Sequence, residues 1–296
     1  MSGYLSPSTP DDHTESPALP AEEVREIVHK ALAEDLGGGD VTTRVTVSEG
    51  LKARGTFRAK QWLVVAGLPV AEEVFRALDP STALEFIVEE GKEVPPGSAL
   101  AVLTGQASTL LAGERVALNF LQHLSGIATF ARLLKEELAG LRTEFLDTRK
   151  TTPGLRSMQK YAVRVGGGRN HRLRLDDGIL IKSNHLRLAG GIRTAVTNAL
   201  RHRPPGFHIE VEVTSLRELE EAISTGVDGA LLDNMTPAEV RRCVELAGGR
   251  IRLEVSGGIN AHNIRSYAET GVDYISVGAL THSAPAVDIN FTVEAQ

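Results

Sequence analysis

A chain of 296 residues, 42% hydrophobic and 24% charged, has the length and composition of about two globular domains, each able to bury a core. Its formal net charge of -6 and pI near 5.9 argue against a protein that coats nucleic acid, and no run approaches the roughly 18 uncharged apolar residues of a membrane span. The single cysteine, Cys243, excludes an intrachain disulfide and a cysteine-rich metal site, and its helical spacing with Val240, Val244 and Leu246 reads as a core thiol.

The first twenty residues, MSGYLSPSTPDDHTESPALP, lack a basic n-region and an apolar h-region. They predict a disordered polar leader rather than a signal peptide, and so a cytoplasmic protein. From Pro20 to Leu36 the positions Val24, Ile27, Val28, Ala31 and Leu32 repeat at helical spacing, ending at Gly37-Gly38-Gly39; the stretch EDLGGGDVTT then reads as a turn. Strand-like runs at Lys52–Phe57, Trp62–Ala66, Leu84–Glu89 and Ala99–Leu103, with a helix near Val70–Leu78, predict a small α/β domain. Between Ser108 and Leu138 the pattern is helical, with a break expected at Ser125-Gly126. This region carries Glu114 and Arg115, which on an apolar helix read as a surface patch or local pair, and His123, which reads as a structural histidine.

Beyond Leu141 short apolar runs recur at Phe145–Asp147, Ile179–Lys182, Ile209–Val213, Ala230–Asp233, Ile251–Val255 and Tyr274–Val277. Ser215-Leu-Arg-Glu218 and Thr236-Pro-Ala-Glu239 are capping boxes, and Gly226, Gly248 and Gly271 close helices. TGVDGALLDN and TGVDYISVGA are near repeats of one helix-strand unit. Strands alternating with amphipathic helices predict a parallel sheet covered by helices, and six such units predict an incomplete TIM-like barrel.

One segment of this series departs from the acidic background. Arg149, Lys150, Arg156, Lys160, Arg164, Arg169, Arg172 and Arg174 fall between positions 149 and 174 with no acid among them, leaving a formal charge of -14 on the rest of the chain. Segregated cations ask for an anionic ligand.

In βα barrels the active site lies at the C-terminal ends of the strands, so the residues that end each run are the candidates. They are Arg149, Lys182, Glu212, Asp233, Ser256-Gly257-Gly258 and Gly278. Glu212 and Asp233, at successive strand ends, suit a hard cation such as Mg2+ through oxygen ligands; the alternative is a salt bridge to Lys182 or Lys150. The glycine-rich ends free backbone N–H groups for a phosphate, while Arg149, Arg172 and Lys182 suit carboxylates. Together they predict a phosphorylated substrate handled beside a small polyacid. GGG at Gly166–Gly168 follows no strand and reads as a turn rather than a dinucleotide fingerprint.

Several long motifs agree with one family. FLDTRKTTPGLR, KYAVRVGGGRNHRLRLDDGILIKSNH, IEVEV, LLDNM, LEVSGGI and GVDYISVGALTHS, with EDLGGGDVTT near the N-terminus, resemble the quinolinate phosphoribosyltransferases in order and spacing from about Pro20 to Ser283. The resemblance implies a type II phosphoribosyltransferase: a leader over 1–19, an N-terminal α/β sandwich domain over 20–117 to which the tail 284–296 returns, and an open TIM-like α/β barrel over 118–283. It implies conversion of quinolinate and phosphoribosyl pyrophosphate to nicotinate mononucleotide, pyrophosphate and CO2 in de novo NAD biosynthesis, with Mg2+ as cofactor.

Carried over by position, Arg149, His171, Arg172 and Lys182 would hold the quinolinate carboxylates. Arg115 would reach the same pocket from the partner of a homodimer, which can assemble further. Lys150, Glu212, Asp233, Ser256, Gly257, Gly258 and Gly278 would serve phosphoribosyl pyrophosphate, with the two acids on the metal side; Lys150, Lys182, Glu212 and Asp233 would be the catalytic set. The nearest alternative is a related phosphoribosyltransferase acting on another base. A Schiff-base aldolase using Lys182 and an RNA-binding module using the basic segment are the readings from other classes. The second is disfavoured because Tyr161 is the segment's sole stacking residue.

Overall fold

The structure is a computed structural model that describes residues 19–296, so the expected leader, except for Leu19, lies outside the described residues. The chain forms two compact units. The first runs as far as Arg132 and also takes 151–167 and Ser283 onward; the second comprises Leu133–Lys150 and Gly168–His282.

The first unit begins with α1 (Ala21–Leu36) and α2 (Val41–Thr46), followed by β1 (Lys52–Ala59), β2 (Leu63–Val64), α3 (Leu68–Leu78), β3 (Ala83–Phe86), β4 (Glu93–Val94) and β5 (Ala99–Gln106). The short helix α2 replaces the expected turn because Asp40 Oδ1 accepts from the Thr43 amide at 2.9 Å and so caps a helix start. Helix α4 (Ala107–Glu137) follows. In the second unit come β6 (Glu144–Leu146), then, after α5 (Arg156–Val165), β7 (Ile179–Ile181), α6 (Ser183–Ala189), α7 (Ile192–His202), β8 (Ile209–Val213), α8 (Leu216–Thr225), β9 (Gly229–Asp233), α9 (Pro237–Ala247), β10 (Arg252–Ser256), α10 (Ile264–Ala268), β11 (Tyr274–Ser276) and α11 (Ala279–His282). The final strand, β12 (Ile289–Ala295), pairs antiparallel with β1 in a four-stranded sheet of order β12-β1-β5-β3.

Helix α4 is unbroken, which corrects the expected break at Ser125-Gly126. The pair serves tertiary packing instead: Ser125 Oγ accepts from the Ala66 amide and donates to the Ala66 carbonyl, both at 3.0 Å, while Gly126 lets the Pro285 carbonyl lie where a Cβ would be. Thr129 and Arg132 extend these contacts to the Val64 amide and the Gly91 carbonyl, so the helix belongs to the first unit well past residue 117. Helix α5 joins that unit through Tyr161, whose hydroxyl donates to Glu90 at 2.5 Å; Glu90 in turn accepts from the Gly67 and Leu68 amides at the start of α3. Because the Pro285 backbone cannot give way as a flexible side chain does, Gly126→Ala is expected to destabilise the protein by about 1–3 kcal/mol. A lower urea midpoint at unchanged slope would register this.

In the second unit six parallel strands stand in the order β6-β11-β10-β9-β8-β7, open between the first and last. All five residues of β8 are buried, as a parallel strand covered on both faces requires. Helix ends follow the local chemistry: Ser215 accepts from the Glu218 amide, Thr236 and Glu239 form a reciprocal capping box with Pro237 at the first turn, and Gly226 and Gly248 end their helices in the left-handed region. Cys243 is fully buried on α9 and donates to Met235 Sδ at 3.6 Å. Burial, then the Glu239 charge, pushes its thiol up to about 11. We expect it to resist a thiol reagent in the native protein and to react once denatured; native-state labelling would contradict its place in the core.

Candidate active site

The C-terminal ends of the parallel strands surround a cavity of about 300 Å3 within the second unit. Beyond β6, the fully buried Asp147 accepts from the His171 amide at 2.9 Å and from the Asn170 side chain, while Arg169 exchanges backbone hydrogen bonds with Phe145 and Asp147. The segment 169–172 is thereby laid alongside β6. Arg172, also buried, is fixed by donation from Nη1 to the Gly178 carbonyl at 3.0 Å.

His171 has a hydrogen bond at one ring nitrogen and two carboxylates near the other. Nδ1 accepts from the Arg172 amide at 2.8 Å, and Nε2 lies 3.7 Å from Glu210 and 3.6 Å from Glu254. Glu254 is 1% exposed and neither of its carboxylate oxygens has an aligned hydrogen bond. Burial first, then the charge of Glu210, holds its pKa well above the usual carboxylate range; His171 and the nearby Ser276 hydroxyl oppose the shift.

At the mouth, Lys182 Nζ lies 3.7 Å from Glu212 Oε2, and Glu212 Oε1 accepts from the first amide of α6, Ser183 N, at 3.0 Å. The ion pair expected as the alternative to metal binding is therefore present, at the long end of its range and with Lys182 half exposed, where it contributes little. Asp233 stands in register with Ser256 on the neighbouring strand. Asn234, with φ +55° the one described non-glycine residue of positive φ, donates from Nδ2 to Asp233 Oδ2 at 2.8 Å and from its amide to the Ser256 carbonyl at 2.9 Å. Gly257, at φ +104°, leaves room for the Asn234 side-chain oxygen.

Of the twelve predicted residues, Arg149, Lys150, His171, Arg172, Lys182, Glu212, Asp233 and Ser256 line the cavity. Gly257, Gly258 and Gly278 are not among the residues that line it. A Cβ on Gly278 would stand 3.1 Å from Lys150 Cδ, so this glycine seats the lysine stem, whose backbone carbonyl accepts from Thr281 at 2.8 Å. Arg115 is exposed on α4 in the first unit. The basic segment is divided: Arg149, Lys150 and Arg172 line the cavity, Arg156, Lys160 and Arg164 lie on α5, and Arg169 and Arg174 pair with Glu144 and Asp176.

Glu212 and Asp233 could hold a hard cation. Both are oxygen donors on adjacent strands, and Mg2+ ordinarily takes one or two protein carboxylates and completes its shell with phosphate and water. They suit a cation carried in by a phosphorylated ligand rather than one caged by protein. Four cations and two mouth carboxylates around this small volume can bind a polyanion and stabilise charge that separates within it.

The two halves of the chain answer to one family. Residues 40–125 match the model of the quinolinate phosphoribosyl transferase N-terminal domain, and residues 127–292 match that of its C-terminal domain. The chain belongs to the quinolinate phosphoribosyltransferase family. A probable nicotinate-nucleotide pyrophosphorylase (carboxylating) of Synechocystis is 43% identical over 267 residues, covering 88% of this chain and 90% of the relative. Its Bacillus subtilis counterpart is 40% identical over 271 residues, covering 92% and 93%. The solved nicotinate-nucleotide pyrophosphorylase of Francisella tularensis superposes with a TM-score of 0.91 at 39% identity, over 95% of this chain and 99% of that one.

Other residues that strand ends alone do not reveal stand at this cavity of the quinolinate phosphoribosyltransferase. Thr148, Glu254 and Ser276 line the cavity, and Asp147, Glu210 and Asn234 set its walls. The signal for Glu210 and Glu254 was available: an acid flanked by apolar residues inside IEVEV and LEVSGG faces a barrel interior.

Proposed function

We propose that this protein transfers the 5-phosphoribosyl group from phosphoribosyl pyrophosphate to quinolinate, with decarboxylation, giving nicotinate mononucleotide, pyrophosphate and CO2 in de novo NAD biosynthesis. The observation that carries the proposal is the convergence of Arg149, Lys150, Arg172 and Lys182 with Glu212 and Asp233 on one cavity. Quinolinate is a dianion and its co-substrate a polyanion, so their approach requires fixed positive charge that offsets mutual repulsion.

Arg149, Arg172 and Lys182 take the quinolinate carboxylates, the arginines as planar forks. Lys150, positioned by Gly278 and Thr281, neutralises the departing pyrophosphate. Glu212 and Asp233 would hold Mg2+, which would supply charge neutralisation at the pyrophosphate. The pyridine nitrogen bonds to the ribosyl carbon as the carbon–pyrophosphate bond breaks. The ring nitrogen is then cationic and its charge stabilises the electron pair left on the adjacent ring carbon when the carboxylate leaves as CO2, and a proton from water bonds to that carbon.

Arg115 completes the pocket from the second subunit of a homodimer, as its exposed position on α4 allows. The enzyme acts in the cytoplasm; among the described residues no helix is long and apolar enough to cross a membrane. The test is release of labelled CO2 from the 2-carboxylate of quinolinate, dependent on both phosphoribosyl pyrophosphate and Mg2+. Product formed from another base and none from quinolinate would transfer the assignment to a related phosphoribosyltransferase.

A further inference from the structure

Asn234 differs in its backbone from every other described residue that carries a side chain. Its φ of +55° is one that glycine adopts with less strain, so a reason for the asparagine lies in the side chain. That side chain is exposed and is not among those that line the cavity, so neither core packing nor direct ligand contact supplies the reason. Its bonding is local. Nδ2 donates to Asp233 Oδ2 at 2.8 Å, and the Asn234 amide, donating to the Ser256 carbonyl at 2.9 Å, fixes the backbone that carries it. A Cβ on Gly257 would overlap the Asn234 side-chain oxygen and stand 3.0 Å from its amide nitrogen, so the glycine leaves the space in which this side chain lies.

Asp233 is thereby held by one of its two oxygens. Glu212 is held likewise, its Oε1 accepting from the Ser183 amide at 3.0 Å while Oε2 lies 3.7 Å from Lys182. On each mouth acid a neutral protein donor engages one oxygen and leaves the other to a ligand. A carboxylate that offers a single oxygen suits Mg2+, which keeps phosphate and water in most of its positions. We infer that Asn234 is a positioning residue for phosphoribosyl pyrophosphate: by binding Oδ2 it turns Asp233 so that Oδ1 alone is offered to the magnesium-bound pyrophosphate end of that substrate. It acts through Asp233 and touches neither substrate. The inference rests on reading Asp233 as the metal-side acid of the proposed reaction.

Calorimetric titration of the full-length protein with inorganic pyrophosphate in the presence of Mg2+ tests this without turnover. Asn234→Gly keeps the left-handed backbone and removes only the side chain. It is expected to weaken pyrophosphate binding about tenfold, the low end of the range for groups that orient a metal-binding carboxylate, because this hydrogen bond stands exposed before the ligand arrives. KM for phosphoribosyl pyrophosphate should rise by a similar factor, with quinolinate affinity unchanged and a thermal melt verifying the fold. In an Asp233→Ala background the same substitution should add nothing, since its partner is gone. Undiminished pyrophosphate affinity in Asn234→Gly overturns the inference, as does an equal loss for quinolinate or a loss that persists without Asp233.

Should Asn234→Gly fail to fold, nitrogen-15 NMR of the Asn234 side-chain amide in the wild-type protein decides. Its resonances are expected to shift when pyrophosphate and Mg2+ are added and to stay in place with quinolinate. No shift with pyrophosphate and Mg2+, or an equal one with quinolinate, overturns the inference. Wild-type protein that binds no pyrophosphate with Mg2+ would remove the metal-side reading of Asp233 itself, and the inference with it.

Discussion

Replacing Arg172 by alanine is expected to remove quinolinate binding while leaving a folded protein. The side chain is 6% exposed, anchored to the Gly178 carbonyl and part of the cavity wall, so its charge faces the ligand already desolvated. Truncating one partner of a buried, hydrogen-bonded charge pair costs about 2–5 kcal/mol, or roughly 30- to several-thousandfold in affinity. Stability should fall less, by about 1–3 kcal/mol, because the Gly178 carbonyl loses its donor. Arg172→Lys keeps the charge but not the planar fork and should lie between wild type and alanine. Calorimetric titration with quinolinate alone, beside a thermal melt, separates binding from folding. Wild-type quinolinate affinity in a folded Arg172→Ala protein would remove this arginine from the site.

Mixing two dead enzymes should yield a live one. In the proposed homodimer Arg115→Ala leaves the cavity wall whole but strips the arginine that would reach the partner's pocket; Lys182→Ala does the reverse. In a heterodimer of the two, one site combines an intact Lys182 with an intact Arg115, and its twin lacks both. Random exchange in a two-fold dimer puts half the subunits in such pairs, so activity should return to about a quarter of wild type. Size-exclusion chromatography with differently tagged subunits establishes that exchange has occurred. Verified heterodimers without activity would place Arg115 outside the catalytic pocket.

The sequence reveals features set by local chemistry more readily than those set across distance. Lys182, Glu212, Asp233 and Ser256 were legible because each ends an apolar run, and strand ends of a parallel barrel converge. The caps at Ser215 and Thr236 were legible for the same reason: donor and acceptor lie within one turn. Ser125-Gly126 misled because its local signal is a helix break, whereas its actual partners, Ala66 and Pro285, lie far away in the chain. The basic segment suggested one cationic surface, yet Arg156, Lys160 and Arg164 leave the cavity on α5, since closeness in sequence is not closeness in space. His171 lies near Glu210 and Glu254 from two other strands, and no single window of sequence contains all three.

The return of β12 to β1 bears on how this polypeptide is made. Over the described residues the chain passes between the two units four times, and the fourth passage delivers β12 to the edge of a sheet whose β1 lies far earlier in the chain. Until β12 arrives, the edge of β1 keeps a row of unpaired amides and carbonyls, the kind of border on which stray chains polymerise. Neither unit can be cut out as one continuous gene fragment, and a chain shortened before Ile289 would leave β1 as the edge strand in place of β12.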